Sequence, residues 1–224
     1  MRAEKIDGKM EGAVAQASRR AIEMLSRFGE TAALTAEFRL WWPNNQIGVM
    51  TGWLNEKGIL LDEPVERTDI YCRTENPELN IKRRGGERLE IKSYAGELPL
   101  ADCIAGEDHA EFWIKHAPEG RDFSTNGRIA IRKKRWLSRL HAAGDCGDRA
   151  RSSGCQVELS EVQPQGSAQV WTSFCLETSS EPEAVPDSLH AALQKLGQPP
   201  CANERPLIAS YAQWLLQEDY FDIE

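Results

Sequence analysis

The 224-residue sequence lacks several features that would mark it as a familiar class of protein. It has no apolar run long enough to span a bilayer and no apolar segment near its start, so we expect neither membrane insertion nor export. None of its six cysteines forms a Cys-x-x-Cys pair, and its four histidines lack the spacing of metal ligands. It contains neither a Gly-x-Ser-x-Gly elbow nor a P-loop. We therefore expect a cytoplasmic protein with reduced thiols.

The charge distribution narrows the classes of partner. A net charge of −8 argues against a protein whose main work is to bind a nucleic-acid backbone, because that work needs a basic face. Positive charge is nevertheless concentrated at Lys82-Arg83-Arg84 and between Arg128 and Arg139, whereas the part from Glu177 to Glu224 is acidic. A nucleic-acid patch at residues 82–84 is the minority interpretation, and a local basic cavity agrees with the same distribution.

The main helical signals lie near the two ends of the chain, and a weaker one lies in the middle. Apolar residues recur at helical spacing from Gly12 to Phe28 and from Pro186 to Leu196, which predicts two helices that cover the core. A short helix is predicted from Glu107 to Lys115, and a last helical turn from Ser210 to Leu216 is expected to pack on the exterior. We expect one domain overall, with residues 1–30 forming a helix that packs on a body formed by residues 31–224.

Between these helices the sequence has the pattern of a β-protein. Short runs rich in β-forming residues and bounded by turn residues predict eight strands, namely Thr35–Trp42, Ile59–Leu61, Arg67–Arg73, Glu78–Arg83, Arg88–Tyr94, Ile129–Leu137, Gln156–Val162 and Gln169–Thr178. The segment Arg84-Gly-Gly-Glu87 predicts a hairpin, because glycine tolerates the positive φ of a tight turn. The predicted fold class is α+β, with an antiparallel eight-stranded barrel and flanking helices.

Several of these strands segregate charge to one face. Because side chains alternate along a strand, polar residues collect on one face of each of these strands. These residues are Asn80, Lys82, Arg84, Glu90, Lys92, Glu158, Ser160 and Glu177, the last of which shares its face with Trp171, Ser173 and Cys175. One hypothesis is that these faces point to water, as one face of an antiparallel sheet often does. The other is that a closed barrel gathers them inside, where basic residues and carboxylates together would bind phosphate and a hard cation.

Short motifs on these strands give the sequence a resemblance to a known family. They are Thr68-Asp-Ile-Tyr71, Leu79-Asn-Ile-Lys-Arg-Arg84, Leu89-Glu-Ile-Lys92, Ile131-Arg-Lys-Lys-Arg-Trp136, Val157-Glu-Leu-Ser160 and Ser173-Phe-Cys-Leu-Glu177. In order and spacing, the chain resembles the CYTH-like, or triphosphate tunnel metalloenzyme, superfamily over roughly residues 35 to 215. That family's chemistry is the attack of a metal-oriented water on a terminal phosphoryl group bound inside a barrel.

The resemblance implies roles for individual residues. Lys82, Arg84, Lys133 and Arg135 would bind phosphate oxygens, and Lys92 would join them. The catalytic set would be Glu37, Arg39 and Lys92, while Mg²⁺ or Mn²⁺ would be held by Glu37, Glu158 and Glu177.

The sequence also departs from the family pattern. The first-strand motif Glu-x-Glu-x-Lys is replaced by Thr35-Ala-Glu37-Phe-Arg39, and Asn80 stands where the family has an arginine. On the strand around residue 133, the family pattern selects Lys133 and Arg135. Strict alternation after Ile129 and Ile131 instead puts Arg132 and Lys134 on the polar face, and a β-bulge would reconcile the two.

Three functional hypotheses follow. The first is a metal-dependent phosphohydrolase acting on inorganic triphosphate, thiamine or nucleoside triphosphate, or an RNA 5′ end. The second is a tunnel that binds a phosphorylated ligand without hydrolysing it, and the third is an interaction module with solvated charged faces. Under the first two, the partner is a triphosphate or other polyanionic small molecule.

Overall fold

The computed structural model describes residues 2–28, 31–100, 109–118, 127–140, 154–179, 181–200 and 205–217. Its helices are α1 (Arg2–Leu25), α2 (Ile47–Glu56), α3 (Val185–Leu196) and α4 (Tyr211–Gln217). Its strands are β1 (Ala33–Trp42), β2 (Val65–Cys72), β3 (Leu79–Arg84), β4 (Arg88–Pro99), β5 (His109–His116), β6 (Arg128–Leu140), β7 (Cys155–Pro164), β8 (Trp171–Thr178) and β9 (Leu207–Ile208). Within the described residues, no helix is both long and apolar enough to cross a membrane.

Eight of the strands close into an antiparallel barrel. They follow the order β5-β4-β3-β2-β6-β7-β8-β1, and β1 closes the ring by pairing with β5 from Ala33 to Glu37. The remaining edge of β1 pairs with the short strand β9 at Leu40 and Trp41. The predicted α+β class with an eight-stranded antiparallel barrel is therefore confirmed, and so is the architecture that the CYTH-like resemblance implied.

The outer face of the barrel carries the main hydrophobic core. On β1, Ala36, Phe38, Leu40 and Trp42 point outward and are buried in a cluster with residues of α1, α2 and α3. Removing such large side chains from water is the dominant favourable contribution to folding. The polar residues that alternate with them consequently face the barrel interior, so the alternation on β1 fixes which side chains can form a site.

A second apolar cluster fills one end of the interior, which we call the closed end. It consists of Trp41, Tyr71, Ile129, Ile131, Val162, Trp171, Ala209, Tyr211, Trp214 and Leu215. Helix α4 supplies its centre, since Trp214 stacks on Trp41 with ring centroids 4.2 Å apart. The expectation that this segment packs on the barrel exterior is wrong, because its aromatic side chains meet the inward-facing Trp41 and Tyr71.

Two other secondary-structure predictions are also wrong. Residues Ile59–Leu61 are not a strand; Ile59 follows α2, donates its N–H to Leu54 O and buries its side chain in the outer core. The predicted helix at Glu107–Lys115 is strand β5, because His109–His116 pairs with both β4 and β1. Its residues Ala110, Phe112 and Ile114 alternate along the strand, point outward and are fully buried.

The hairpin between β3 and β4 is confirmed. Arg84 and Arg88 are partners across it, and Gly85 and Gly86 adopt φ values of 61° and 80°. In that region a side chain is strained, so glycine is the residue that permits the turn. The turn also contributes to the interior, because the Gly85 N–H donates to Asp69 Oδ1 over 3.1 Å.

Candidate functional site

The barrel interior beside the closed end is a strongly charged cavity. It is lined by eight basic side chains, Arg39, Arg67, Lys82, Arg84, Lys92, Lys115, Lys133 and Arg135, and by four carboxylates, Glu37, Glu90, Glu158 and Glu177. The space left between them is about 80 Å³. The cavity of this chain, whose net charge is −8, is therefore lined by more basic than acidic side chains. An anion that binds there competes with the carboxylates for contacts with the basic side chains.

One group in this cavity centres on the ammonium of Lys92. It contacts Glu37 and lies 3.2 Å from Glu177 Oε1. Glu37 and Glu177 are backbone partners across β1 and β8, so the strand register holds the two carboxylates face to face. Burial alone would lower the pKa of Lys92, but the two carboxylates outweigh it and raise that pKa above its ordinary value. Burial would raise the pKa of Glu177, yet Lys92 and then Lys115 lower it to about 2.

A second group joins Arg39 and Arg135 to Glu158. Arg135 donates to Glu158 Oε2 from Nε over 2.9 Å and also from its terminal nitrogen. Arg39 lies 3.5 Å from the other oxygen of Glu158 and donates to Ser173 Oγ over 2.9 Å. Burial opposes ionisation of Glu158, but Arg135 and Arg39 hold its pKa well below the usual range. Glu158 therefore carries its charge throughout the neutral range.

A third group is built around Asp69 and forms the most basic wall. Lys133 Nζ lies 3.1 Å from Asp69 Oδ2, and Lys82 Nζ lies 2.9 Å from Glu90 Oε1. Burial lowers the pKa of Lys133 well below its ordinary value, and the neighbouring charge of Lys82 adds to the effect. Burial also lowers the pKa of Lys82 despite its contact with Glu90. These two ammonium groups are under-compensated, so a bound anion would stabilise their charged forms.

The predicted charged faces line the interior rather than the solvent. Lys133 is 1% exposed and Arg135 is 6% exposed, and both lie on the inward face of β6 together with Ile129 and Ile131. The pairing of β6 with β2 and with β7 runs without a register shift, so the suggested β-bulge is not needed. The face is apolar where it enters the closed end and basic where it lines the cavity.

All of the residues singled out from the family pattern meet in this cavity. Its lining includes every candidate substrate-binding, catalytic and metal-ligating side chain: Glu37, Arg39, Lys82, Arg84, Lys92, Lys133, Arg135, Glu158 and Glu177. Arg84 lies at its margin, with 41% of its side chain exposed. The two departures lie inside as well, since Asn80 lines the cavity and Thr35 donates its hydroxyl to Trp113 O over 3.3 Å.

Several residues of the site were not predicted. Asp69 and Tyr71 belong to a quoted motif, but no role was assigned to them, although Asp69 is 0% exposed and Tyr71 accepts a hydrogen bond from Lys133 over 2.6 Å. The inward position of Arg67 could have been found from its parity with Asp69. Glu111 lies on β5, for which the sequence predicts a helix. Tyr211 reaches the cavity through α4, and no local signal in the sequence indicates that contact.

The interior carboxylates have the right chemistry for a hard divalent cation. Mg²⁺ is commonly bound by one or two carboxylates and completes its coordination with water and phosphate oxygens. Glu37 and Glu177 face each other suitably, but Lys92 contacts both, and Glu158 is paired with arginines. In the described part of the chain, no group of three or more His, Cys, Asp or Glu side chains is arranged to hold a metal ion. The donors therefore fit such an ion only together with a bound phosphate and after Lys92 has moved.

Comparison with known proteins returns solved structures alone. No protein-family model matches the sequence, and no curated protein matches it. The chain is similar to the PH1012 protein from Pyrococcus horikoshii OT3, with 16% identity and a TM-score of 0.40, over 79% of this chain and 98% of that one. It is also similar to the Pct1 RNA triphosphatase of S. pombe, with 7% identity and a TM-score of 0.40, over 84% of this chain and 87% of that one.

Proposed function

We propose that the barrel interior binds a triphosphate-containing polyanion and that the protein is a metal-dependent phosphohydrolase acting on it. The observation that carries this proposal is the excess of basic side chains enclosed in a barrel of an acidic protein. Buried cations without full compensation are costly unless an anion pairs with them. A triphosphate is a compact anion with several negative charges, so it matches the number and the enclosure of these cations.

The basic wall would hold the phosphate chain. Lys82, Lys133 and Arg135 come from β3 and β6, and Arg84 adds a cation at the solvent-exposed margin. Arg135 is preorganised by Glu158, so it loses little conformational freedom when it binds phosphate. The lowered pKa values of Lys82 and Lys133 mean that a phosphate close to either ammonium gains free energy by keeping it protonated.

The opposite wall would carry out the chemistry. Glu37, Glu158 and Glu177 would hold Mg²⁺ or Mn²⁺ beside the phosphates, and the ion would neutralise charge and orient a water. Arg39 lies between Glu37 and Glu158, at 3.8 Å and 3.5 Å, where it can bind the phosphoryl oxygens as charge develops. Lys92 would exchange its carboxylate partners for a phosphate oxygen.

A second candidate is a binding tunnel without hydrolysis, and one observation favours it. The position that carries the first carboxylate of the family motif is Thr35, whose hydroxyl is directed to a backbone carbonyl. The three candidate metal-binding carboxylates, Glu37, Glu158 and Glu177, are each paired with a basic side chain. Under this candidate, Thr35→Glu should raise metal-dependent phosphate release, whereas under the first it should change release little.

The natural ligand would be a soluble phosphorylated compound in the cytoplasm. Inorganic triphosphate, thiamine or nucleoside triphosphate and an RNA 5′ end all present the required charge. An internal stretch of nucleic acid is disfavoured as the ligand of the cavity, because the basic side chains that line it are enclosed by the barrel, where a duplex could not contact them.

The test combines ligand binding with turnover. Thermal unfolding is measured with and without inorganic tripolyphosphate, in Mg²⁺, Mn²⁺ or chelator, and phosphate release is then measured on the same samples. Metal-dependent release accompanied by a higher Tm is expected for the hydrolase. Stabilisation without release would select the binding tunnel, and the absence of both would refute the proposal.

A further inference from the structure

The closed end of the barrel gives the cavity a floor. Helix α4 is fixed there by the stacking of Trp214 on Trp41 and by the Trp41 Nε1–H, which donates to Ala209 O over 2.8 Å. The start of the helix is held by reciprocal hydrogen bonds, from Ser210 N to Gln213 Oε1 and from Gln213 N to Ser210 Oγ. Gln213 also donates to Glu111 Oε1 over 2.9 Å. These contacts make the floor a packed part of the fold.

Tyr211 is the aromatic side chain of this floor that lines the charged cavity. It lines the cavity and is 6% exposed, and its ring lies 4.6 Å from the guanidinium carbon of Arg39 and 3.8 Å from Lys133 Nζ. Two cations are thereby held against one ring, an arrangement stabilised by the ring's negative face. The floor of the cavity is consequently a concentrated positive site.

Two buried donors at this floor have no acceptor. Among the described residues, neither the Tyr211 hydroxyl nor Arg39 Nε has a hydrogen-bond partner. Buried polar groups are paired in the great majority of cases, with protein, water or a ligand. Burial raises the pKa of Tyr211 above its ordinary value, so the phenol keeps its proton and stays a donor. Both groups can therefore donate a hydrogen bond to an oxygen of a bound ligand.

The opposite end of the interior is where charged side chains reach solvent. Arg84 and Lys115 have 41% and 31% of their side chains exposed, whereas Trp41 and Trp214 at the closed end are wholly buried. Arg84 and Lys115 stand at the ends of β3 and β5 that lie away from the closed end. A ligand that enters past them meets Tyr211 last.

On the basis of the proposed function, we propose that Tyr211 and Arg39 bind the terminal phosphate of the ligand at the floor, and that the site selects phosphate chains with a free end. A terminal phosphate offers three unshared oxygens to the two donors and to Lys133. A phosphate within a chain or ring has only two such oxygens and must continue into the space that Trp214 and Tyr211 fill. Tyr211 is thus a specificity-determining residue.

Linear tripolyphosphate and cyclic trimetaphosphate test this proposal, because both carry three phosphates and only the first has ends. Titration calorimetry on the wild-type protein should show much tighter binding of tripolyphosphate. Tyr211→Phe keeps the ring and its cation contacts and removes the hydroxyl, so it should weaken tripolyphosphate binding by about tenfold. Any binding of trimetaphosphate should be unchanged by it. Tyr94→Phe is the matched control, because Tyr94 packs on Trp113 and is not among the residues that line the cavity.

The outcomes separate the two proposals. Equal affinity of the wild-type protein for the linear and cyclic anions would overturn the selection of free ends, and this comparison does not depend on any variant. Unchanged tripolyphosphate affinity in Tyr211→Phe would overturn the role of the hydroxyl. If the wild-type protein binds neither anion, the proposed function itself fails, which is a distinct result.

Discussion

The ammonium of Lys133 lies 3.1 Å from a carboxylate oxygen of Asp69, and almost no surface of either side chain is exposed. Asp69 is also contacted by the guanidinium of Arg67 and by the N–H of Gly85. One buried carboxylate therefore links β2, β6 and the β3–β4 hairpin. Its negative charge stabilises the cluster of Arg67, Lys82 and Lys133 in the ligand-free protein.

Asp69→Asn should destabilise the protein strongly. The substitution keeps the shape of the side chain but leaves Lys133, Lys82 and Arg67 near one another without their shared anion. Removing one partner of a buried ion pair typically costs about 3 kcal/mol or more, and urea unfolding measures this loss. Asp62→Asn is the control, because Asp62 is exposed and should change stability by less than about 0.5 kcal/mol. Equal effects of the two substitutions would contradict this role of Asp69.

Adjacent lysines on β6 provide a matched test of the anion site. Lys133 faces the cavity, and Lys134 lies on the opposite face with its ammonium over the ring of Trp136. Lys133→Gln should weaken tripolyphosphate binding by about 2 kcal/mol, or roughly thirtyfold in Kd, since a charge-assisted hydrogen bond is lost. Lys134→Gln should leave Kd within about twofold of the wild type. Calorimetric titration of the two variants measures the difference, and equal losses would place the anion outside the barrel.

Much of the site could be predicted from strand alternation, and the exceptions have physical causes. The polar faces of Leu79–Arg84 and Arg88–Tyr94 are correct, because the inward faces of β3 and β4 are polar throughout the predicted runs. On β6 the rule fails, because Ile129 and Ile131 enter the closed end while Lys133 and Arg135 line the cavity on the same face. A face that changes from apolar to charged along one strand cannot be assigned by polarity alone.

The remaining errors come from contacts that are distant in sequence. Strand β5 alternates from Ala110 to Lys115, but its inward face mixes Glu111 with Trp113, which obscured the period of two. The sequence predicts Tyr211 and Trp214 on the exterior of the barrel. Their actual partner, Trp41, lies about 170 residues earlier in the sequence, and only the closed barrel brings the three rings together.

The affinity for tripolyphosphate should depend on pH in the alkaline range. The pKa values of Lys82 and Lys133 are lowered by burial, so these groups lose charge below the ordinary lysine value of about 10.4. Binding should weaken as the pH rises through the lowered values, and in that range it should be accompanied by proton uptake. Calorimetry in buffers of different ionisation enthalpy measures both effects from about pH 6 to about pH 10. A constant affinity with no proton uptake would contradict the assignment of these lysines to the anion site.

The free energy of unfolding of the ligand-free protein should change with pH in the direction opposite to the affinity for tripolyphosphate. A lysine whose folded-state pKa is lowered binds fewer protons in the folded than in the unfolded state between the lowered and the ordinary value. Its contribution to the free energy of unfolding therefore rises with pH across that window. Lys133→Met should reduce this rise in urea unfolding, because it removes a buried ammonium whose pKa is lowered. Lys134→Met should retain the rise, because Lys134 lies on the opposite face of β6, outside the cavity.

Lys92 should decide whether the carboxylates bind a metal in the absence of phosphate. Its ammonium contacts both Glu37 and Glu177, which face each other across β1 and β8, so a divalent cation must compete with it. Lys92→Met leaves two interior carboxylates without their cation, and Mn²⁺ should then bind and raise the Tm. At a Mn²⁺ concentration about one hundred times Kd, the gain in the free energy of unfolding is about 2.7 kcal/mol. The wild-type protein and the Lys134→Met control should gain little from Mn²⁺ until tripolyphosphate is added. If Mn²⁺ without tripolyphosphate stabilises the wild-type protein as much as Lys92→Met, Lys92 does not compete with the metal for the carboxylates. If Mn²⁺ fails to stabilise Lys92→Met, Glu37 and Glu177 are not metal ligands.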